Sequence, residues 1–351
     1  MNNCGICGQR EATKTNSHLI PSFIIAMVSS YDGSYKRDKE MLFTFESILS
    51  FFYAGRGVLD PNYLEYFKSI SEEKQSIIKD YQYFAPDFIF CPECEKKIGD
   101  FLESKYSANK HKLKNDGLIS IMFWLSVIWR ISKFGSEVYK LPNEYEEVMG
   151  ALLNEYLQNN GKIQDKANFL NRIPFSYKIV FCADYCKTNA GYISGQYDRE
   201  TNSATYFMGD FILQVYFSNT TVQNDVFGLK SIFDTATLNT GQDSENKQTI
   251  SPEKLRTIYD SLLNYCCKLR YQNDKDYFKG LWNILRCQLG SNIPQKPNKK
   301  ICAQFISKIY NKSQPYRIVY ERERVSLFVR LVYQKYSRNI FPYWLTKYQS
   351  R

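Results

Sequence analysis

The sequence predicts an α+β protein, and three features carry that reading: Cys-x-x-Cys turns in the N-terminal third, a central stretch where helical periodicity gives way to strand alternation, and a basic, aromatic C-terminal stretch. With 351 residues the chain exceeds what one hydrophobic core usually serves. Hydrophobic residues at 44% and charged residues at 23% are ordinary globular values, which excludes a disordered chain and a disulfide-stapled miniature. The 28 Tyr and 24 Phe predict an aromatic interior. Three segments are expected: 1–116, a cysteine-bearing module with a helical insertion at about 28–86; 117–294, mixed helices and antiparallel sheet; and 295–351, a basic aromatic segment.

Taken in order, residues 1–25 read as a knuckle and a turn, and Pro21 suits the first turn of a helix through Met27. Residues 42–84 hold aromatic clusters and Ser71-Glu72-Glu73-Lys74, and they read as an inserted helical excursion ending near Tyr81 and Phe84. Phe88-Ile89-Phe90 reads as a strand entering Cys91, and Glu95 to Tyr106 as a helix with Ile98, Phe101 and Leu102 on one face. Leu118 to Phe134 is an apolar core helix, and Pro142 precedes a second helix over Glu144 to Leu157. Strands are expected at Tyr177–Ala183, Gly191–Tyr197, Ala204–Met208 and Phe211–Ser218, forming a β meander over 177–218. Polar residues 239–250 read as a surface loop or mobile linker. Ser251-Pro252-Glu253 starts helices over 252–288, and Ser291 to Lys300, with two prolines, separates them from the last element.

The formal charge of +10 is unevenly placed. Residues 1–116 carry 15 Lys/Arg against 16 Asp/Glu, residues 117–294 carry 18 against 18, and residues 295–351 carry 13 against 2. Aromatic rings are interleaved with these last cations, including Tyr310, Tyr320, Tyr333, Tyr336 and Trp344. Cations beside aromatic faces suit a phosphate backbone and unstacked bases, so Arg322, Arg324, Arg330, Lys335 and Arg338 are nucleic-acid-binding candidates. The alternative is a folded element whose Lys and Arg stems cover apolar surface. Helical spacing (Val325, Phe328, Val329, Val332, Tyr333, Tyr336) and strand alternation (Val325, Leu327, Val329, Leu331, Tyr333) both fit this stretch, and periodicity leaves the choice open.

The longest apolar run, Leu118 to Trp129, is about half a bilayer span, so no membrane is expected. No basic-then-apolar leader precedes Cys4, which predicts a cytoplasmic protein whose ten cysteines are thiols or metal ligands.

Cys4-Gly5-Ile6-Cys7 and Cys91-Pro92-Glu93-Cys94 each place two thiolates on one tight turn. Two such knuckles close a tetrahedral site of the kind zinc favours, and a long intervening loop adds little closure cost. The alternative is two unrelated cysteine turns. Of Cys182, Cys186, Cys266, Cys267, Cys287 and Cys302, most read as buried hydrophobes.

His18 follows the first knuckle in Thr15-Asn16-Ser17-His18-Leu19-Ile20-Pro21. A Cys-x-x-Cys, then a polar residue before His-Leu-Ile-Pro, then a Cys-x-x-Cys opening a helix resembles the HNH nuclease family, whose ββα-metal core often carries two knuckles around a structural zinc. More closely it is similar to a divergent bacterial branch with Ser-His-(Leu/Ile)-Ile-Pro and a Cys-Glu helix start. The resemblance covers residues 4–27 and 88–106 and, more weakly, Ser126 to Arg130. It implies a zinc-stabilised ββα-metal module in which His18 is the general base for the attacking water. It also implies a catalytic Mg²⁺ or Mn²⁺ held by the residue before the histidine and one on the following helix. Those positions are Ser17, where the family usually has Asp or Glu, and Glu95, where Asn is common, with Glu103 a second helix candidate. Glu95 and Glu103 have an alternative reading as a solvated helix face beside Lys96, Lys97 and Lys105, which is the better reading for Glu103 alone, and His111 reads as an exposed loop residue.

The resulting expectation is a metal-dependent HNH-type nuclease acting on DNA more than RNA, with a role in defence against phage or foreign DNA by family analogy. The alternatives are a catalytically inactive, zinc-stabilised nucleic-acid binder and a protein-interaction subunit that docks a protein partner.

Overall fold

The computed structural model describes residues 2–15, 17–29, 42–47, 50–55, 86–135, 139–189, 191–217, 221–289, 293–309 and 324–336. Contacts group the chain into two compact units, Met1–Phe45 with Ser50–Leu262, and Glu46–Leu49 with Leu263–Arg351, where the sequence suggests three segments. No boundary falls at residue 116, because the helix that follows packs on the helical turns after the second knuckle.

In the first unit, α1 (Ser22–Ser29) starts after Pro21 as its ring predicts. Two strands, β1 (Leu42–Ser47) and β2 (Ser50–Gly55), occupy part of the stretch read as a helical excursion. Their Phe- and Tyr-rich sequences suit a pleated surface, and β2 extends a sheet by pairing with Tyr192–Asp198, Tyr53 opposite Ile193. Residues 56–85, with Ser71 to Lys74, lie outside the described residues. Helix α2 (Pro92–Ile98) runs into a π-helical turn, Gly99–Glu103, and then α3 (Ser104–Ala108). A short strand β3 (Lys114–Asn115) precedes α4 (Gly117–Phe134).

The Asp116 carboxylate caps α4 by accepting from the Ile119 amide at 2.8 Å. Gly117 is required at its start, since a Cβ there would stand 1.7 Å from the Asp243 carbonyl oxygen. Over its 18 residues α4 is long and apolar enough to cross a membrane, further than the apolar run alone suggests. Every residue from Ser120 to Ser132 is buried inside the fold, the pattern of a core helix. Helix α5 (Asn143–Gln158) packs beside it, followed by the short α6 (Lys166–Asn171).

Strands β4 (Ser176–Phe181), β5 (Tyr192–Asp198), β6 (Ser203–Met208) and β7 (Phe211–Tyr216) confirm the alternating stretch, with short helix α7 (Tyr185–Thr188) between β4 and β5. β5, β6 and β7 form a meander. β4 departs from simple order by pairing antiparallel with β7, Phe181 opposite Phe211. The two-residue Gly209-Asp210 turn joins Met208 to Phe211, with Gly209 at φ +67°, a left-handed value that suits the twist of a tight hairpin. β6 and β7 are buried along their whole length, so the sheet is covered on both faces. After α8 (Lys230–Thr235) come β8 (Glu245–Asn246), paired with β3, and β9 (Gln248–Thr249), parallel to β4. The main sheet order is β1-β2-β5-β6-β7-β4-β9.

Residues 239–250 are therefore not a mobile linker. Glu245, 1% exposed, accepts hydrogen bonds from Tyr177 Oη (2.8 Å), Trp124 Nε1 (3.1 Å), Asn115 Nδ2 (3.0 Å) and Tyr106 Oη (3.3 Å). Lys247 lies 3.8 Å from the carboxylate, donates to the Lys110 carbonyl at 2.7 Å, and stands 5.2 Å from the Tyr106 and Phe181 ring centres. Burial pushes the Lys247 ammonium down to about 8, against the pull of Glu245. A charge so far from water persists because nearly every lone pair has a donor.

Helix α9 (Pro252–Leu289) begins at the expected cap, and the division between units falls within it. The second unit holds the remainder of α9, α10 (Lys299–Ile309) and a helix described over 324–336. Phe278 packs against Phe305 at 5.3 Å and Phe328 at 5.4 Å, and Trp282 donates its indole N–H to the Pro294 carbonyl. The ambiguous C-terminal periodicity resolves as a helix. It buries Leu327, Phe328, Leu331 and Val332, and leaves Val325, Val329 and Tyr333 exposed.

Candidate metal centre and adjoining polar site

Backbone pairing brings the knuckles together across the intervening chain. The Gly5 amide donates to the Ile89 carbonyl at 2.9 Å, the Lys14 amide to Phe90 at 3.1 Å, the Phe88 amide to Lys14 at 2.7 Å, and the Ser17 amide to Pro86 at 3.1 Å. Residues 3–15 and 17 thus lie against 86–90, which forms bends where a strand is expected, with Phe88 at φ +59°, and α2 follows directly. Gly5 is needed because a Cβ would meet the Phe134 ring at 2.5 Å, and Gly8, at φ +65°, turns the first knuckle. Cys91 caps α2, its Sγ accepting from the Cys94 amide at 3.5 Å.

The Sγ atoms of Cys4, Cys7, Cys91 and Cys94 lie within 4.8 Å of one another, all as free thiols. A tetrahedral ZnS₄ centre with bonds near 2.3 Å has S–S edges of about 3.8 Å, so a small contraction closes this cage. Four soft sulfurs fit zinc and leave no open coordination position, as in a structural site. Cys4, Cys91 and Cys94 are buried and Cys7 is half-buried. A hydrogen bond from the Cys94 thiol holds Cys4 down to about 4, and the same bond with burial pushes Cys94 up. Arg10 Nη2 reaches within 4.0 Å of Cys94 Sγ, and Arg10 also pairs with Glu93, which pairs with Lys97 at 3.2 Å. The guanidinium offsets the negative charge that four thiolates would bring.

Next to this cage the chain assembles a second polar group. Ser17, fully buried, and His18, half-buried, close the strand-like segment. Glu95 and Glu103 come from α2 and the π turn. Eight residues of regular α-helix would separate them by about 80° around the axis, at about 100° per residue. One extra residue in the π turn rotates Glu103 back by about 100°, to within about 20° of Glu95. The sequence alone puts Glu103 only on a nearby face. Their charges are close enough that Glu103 helps raise Glu95, after the larger effect of burial, while Arg130, Ser17 and Lys14 lower it.

Arg130 of α4 sits at the centre, 2% exposed. Its Nε donates to the Ser126 carbonyl at 3.1 Å, and its Nη1 donates to the His18 carbonyl at 2.6 Å and pairs with Glu103 Oε1 at 2.9 Å. Arg130 Nη2, Glu95 Oε2, Glu103 Oε1 and Ser17 Oγ are buried without a completed hydrogen bond. Ser17, Glu95 and Glu103, read from the sequence as one site, do gather, and they gather around a guanidinium that was not singled out. A signal existed, since Arg130 is the one ionic residue between Leu118 and Ser132 of an apolar run, and a buried cation needs partners. Among the described residues, the cysteine quartet is the group of three or more Cys, His, Asp or Glu side chains that converges on an ion position. His18, Glu95 and Glu103 do not form another.

The remaining sequence candidates divide. Arg330 and Lys335 are exposed. Arg324 is turned inward, 3.6 Å from buried Asp274 and 5.7 Å from the centre of the Tyr277 ring. Arg322 and Arg338 lie outside the described residues. His111 is exposed, 6.4 Å from the Phe181 ring. Cys182 and Cys186 are buried as expected, but Cys287 is exposed because its position on α9 faces away from the Phe278–Trp282 core. No family model, curated protein or solved structure matches this chain.

Proposed function

We propose that this chain is a zinc-stabilised nuclease of HNH type, acting on DNA in preference to RNA. The observation that supports the reading is the order of parts: a knuckle, a segment ending in Ser17-His18, an antiparallel return at 86–90, a second knuckle, and a helix presenting Glu95 and Glu103 toward Arg130. In this reading the His18 imidazole accepts a proton from water as the water oxygen bonds to phosphorus. The P–O3′ bond breaks, and the departing oxygen takes a proton from solvent. The second unit provides the attraction for the substrate, with 18 Lys/Arg against 5 Asp/Glu over 46–49 and 263–351. Family analogy extends the role to defence against phage or foreign DNA.

The zinc that the resemblance implies fits the four sulfurs. The implied Mg²⁺ or Mn²⁺ fits poorly, because Ser17 offers no carboxylate and Glu103 is engaged by Arg130. These same two observations favour the second reading, a zinc-stabilised nucleic-acid binder without cleavage. Supercoiled plasmid incubated with the zinc-loaded protein, with and without added Mg²⁺ or Mn²⁺, tests both. Nicking by the wild type that disappears in His18→Ala supports the nuclease. Salt-sensitive DNA binding without nicking supports the binder, and full nicking by His18→Ala removes His18 from the mechanism.

A further inference from the structure

The resemblance implies a divalent ion held at Ser17 and Glu95 or Glu103. We propose that in this chain Arg130 is the resident cation of the Glu95–Glu103 pair, so that the pair takes no divalent ion while the guanidinium is in place. The inference concerns the site described above, and it rests on the nuclease reading only for what the site is for.

Four observations converge on it. The π turn brings Glu103 onto the helix face of Glu95, an arrangement that a neighbouring positive charge stabilises. Arg130 supplies one, with Nη1 2.9 Å from Glu103 Oε1. The guanidinium is not a mobile surface group. It is 2% exposed and pinned by the Ser126 and His18 carbonyls. Finally, Ser17 Oγ, Glu95 Oε2, Glu103 Oε1 and Arg130 Nη2 are left inside with spare hydrogen-bonding capacity of both signs, so the Arg130–Glu103 contact is an ion pair and not an aligned hydrogen bond. A donor N–H next to an acceptor carboxylate suits a neutral, two-way partner such as water, whereas a divalent ion there would meet the guanidinium as a like charge. Arg130 also fixes the His18 carbonyl, so it is a positioning residue as well as a counter-ion.

The proposal makes an unusual prediction, that removing a positive charge creates a metal site. Mn²⁺ binding to the full-length, zinc-loaded protein is followed by electron paramagnetic resonance of free Mn²⁺. Wild type and Glu95→Gln are expected to bind Mn²⁺ equally weakly. Arg130→Met is expected to gain a site at least about tenfold tighter, the effect of about 1.4 kcal/mol of relieved repulsion. Adding Glu95→Gln to Arg130→Met should abolish the gain, and Arg130→Lys, which keeps the charge, should not show it. A wild-type Mn²⁺ site that is lost in Glu95→Gln overturns the proposal, and that comparison decides even if Arg130→Met does not fold. The nuclease reading fails separately: a wild type that never nicks DNA leaves these binding results standing. A wild type that nicks only with added Mg²⁺, together with a Glu95-dependent Mn²⁺ site, keeps the nuclease and rejects Arg130 as its cation.

Discussion

The unit formed by Met1–Phe45 and Ser50–Leu262 and the unit formed by Glu46–Leu49 and Leu263–Arg351 both bury aromatic side chains, but around different centres. The first is nearly balanced in charge, 28 Lys/Arg against 31 Asp/Glu, and places ionic groups inside itself: Arg130 with Glu103, Glu245 with Lys247, and the cysteine cage. The second carries 18 against 5, and its core of Phe278, Trp282, Phe305 and Phe328 is hydrophobic, with one inward ion pair, Arg324 with Asp274, and exposed cations such as Arg330 and Lys335 outside. Interior charges fix geometry at a cost in desolvation, while exterior charges cost little and act at a distance. The contrast separates a unit suited to hold side chains in register from one suited to attract a polyanion.

The sharpest way to break this comparison is at the cage. Stripping zinc, or replacing Cys94 with Ser, removes a contribution on the order of 10 kcal/mol where metal binding and folding are coupled. Hydrogen exchange should show α2 and the segment 86–90 losing protection, with the helices around Trp282 unchanged. Equal loss in both units would show that the second depends on the first.

Next in size is the buried carboxylate. Glu245→Gln keeps the shape but leaves Lys247 uncompensated among aromatic rings, at a cost of about 3–5 kcal/mol in urea unfolding. Pairing it with Lys247→Met should recover part of that loss, and a single-mutant cost below about 1 kcal/mol would falsify the view that this centre organises the first unit.

The smallest stability effects are expected on the second unit's surface, and they distinguish its arginines. Arg330→Ala with Lys335→Ala should alter stability by no more than about 0.5 kcal/mol, yet weaken DNA binding and lower its salt dependence by about two phosphate contacts. Arg324→Ala should do the reverse, costing about 2 kcal/mol by removing its ion pair with buried Asp274, with little change in the salt slope. If all three behave alike, the division between inward and outward cations is wrong.

Parts of this were legible in the residues themselves. The knuckles were, because a Cys-x-x-Cys turn is a local chemical statement that survives any distance along the chain. The strands at 176–216 were, because alternation and turn residues such as Gly209-Asp210 act over a few positions. The order in which those strands pair was not, nor were strands at 42–55, since pairing is settled by what else covers the sheet. The stretch 325–336 misled for a related reason. Its apolar residues outnumber those the helix buries, so two periods fitted one sequence.

What the sequence by itself determined is the chemistry available: four sulfurs in two turns, a histidine and two glutamates near them, and an excess of cations toward the C-terminus. Only the tertiary structure decided how that chemistry is used. A π turn rotated Glu103 into line with Glu95, a core helix delivered Arg130 to Glu103, and a polar stretch buried Glu245 under four donors. Each of these outcomes depends on a partner distant along the chain, and the energy of burying a charge is set by that partner, which no local pattern records.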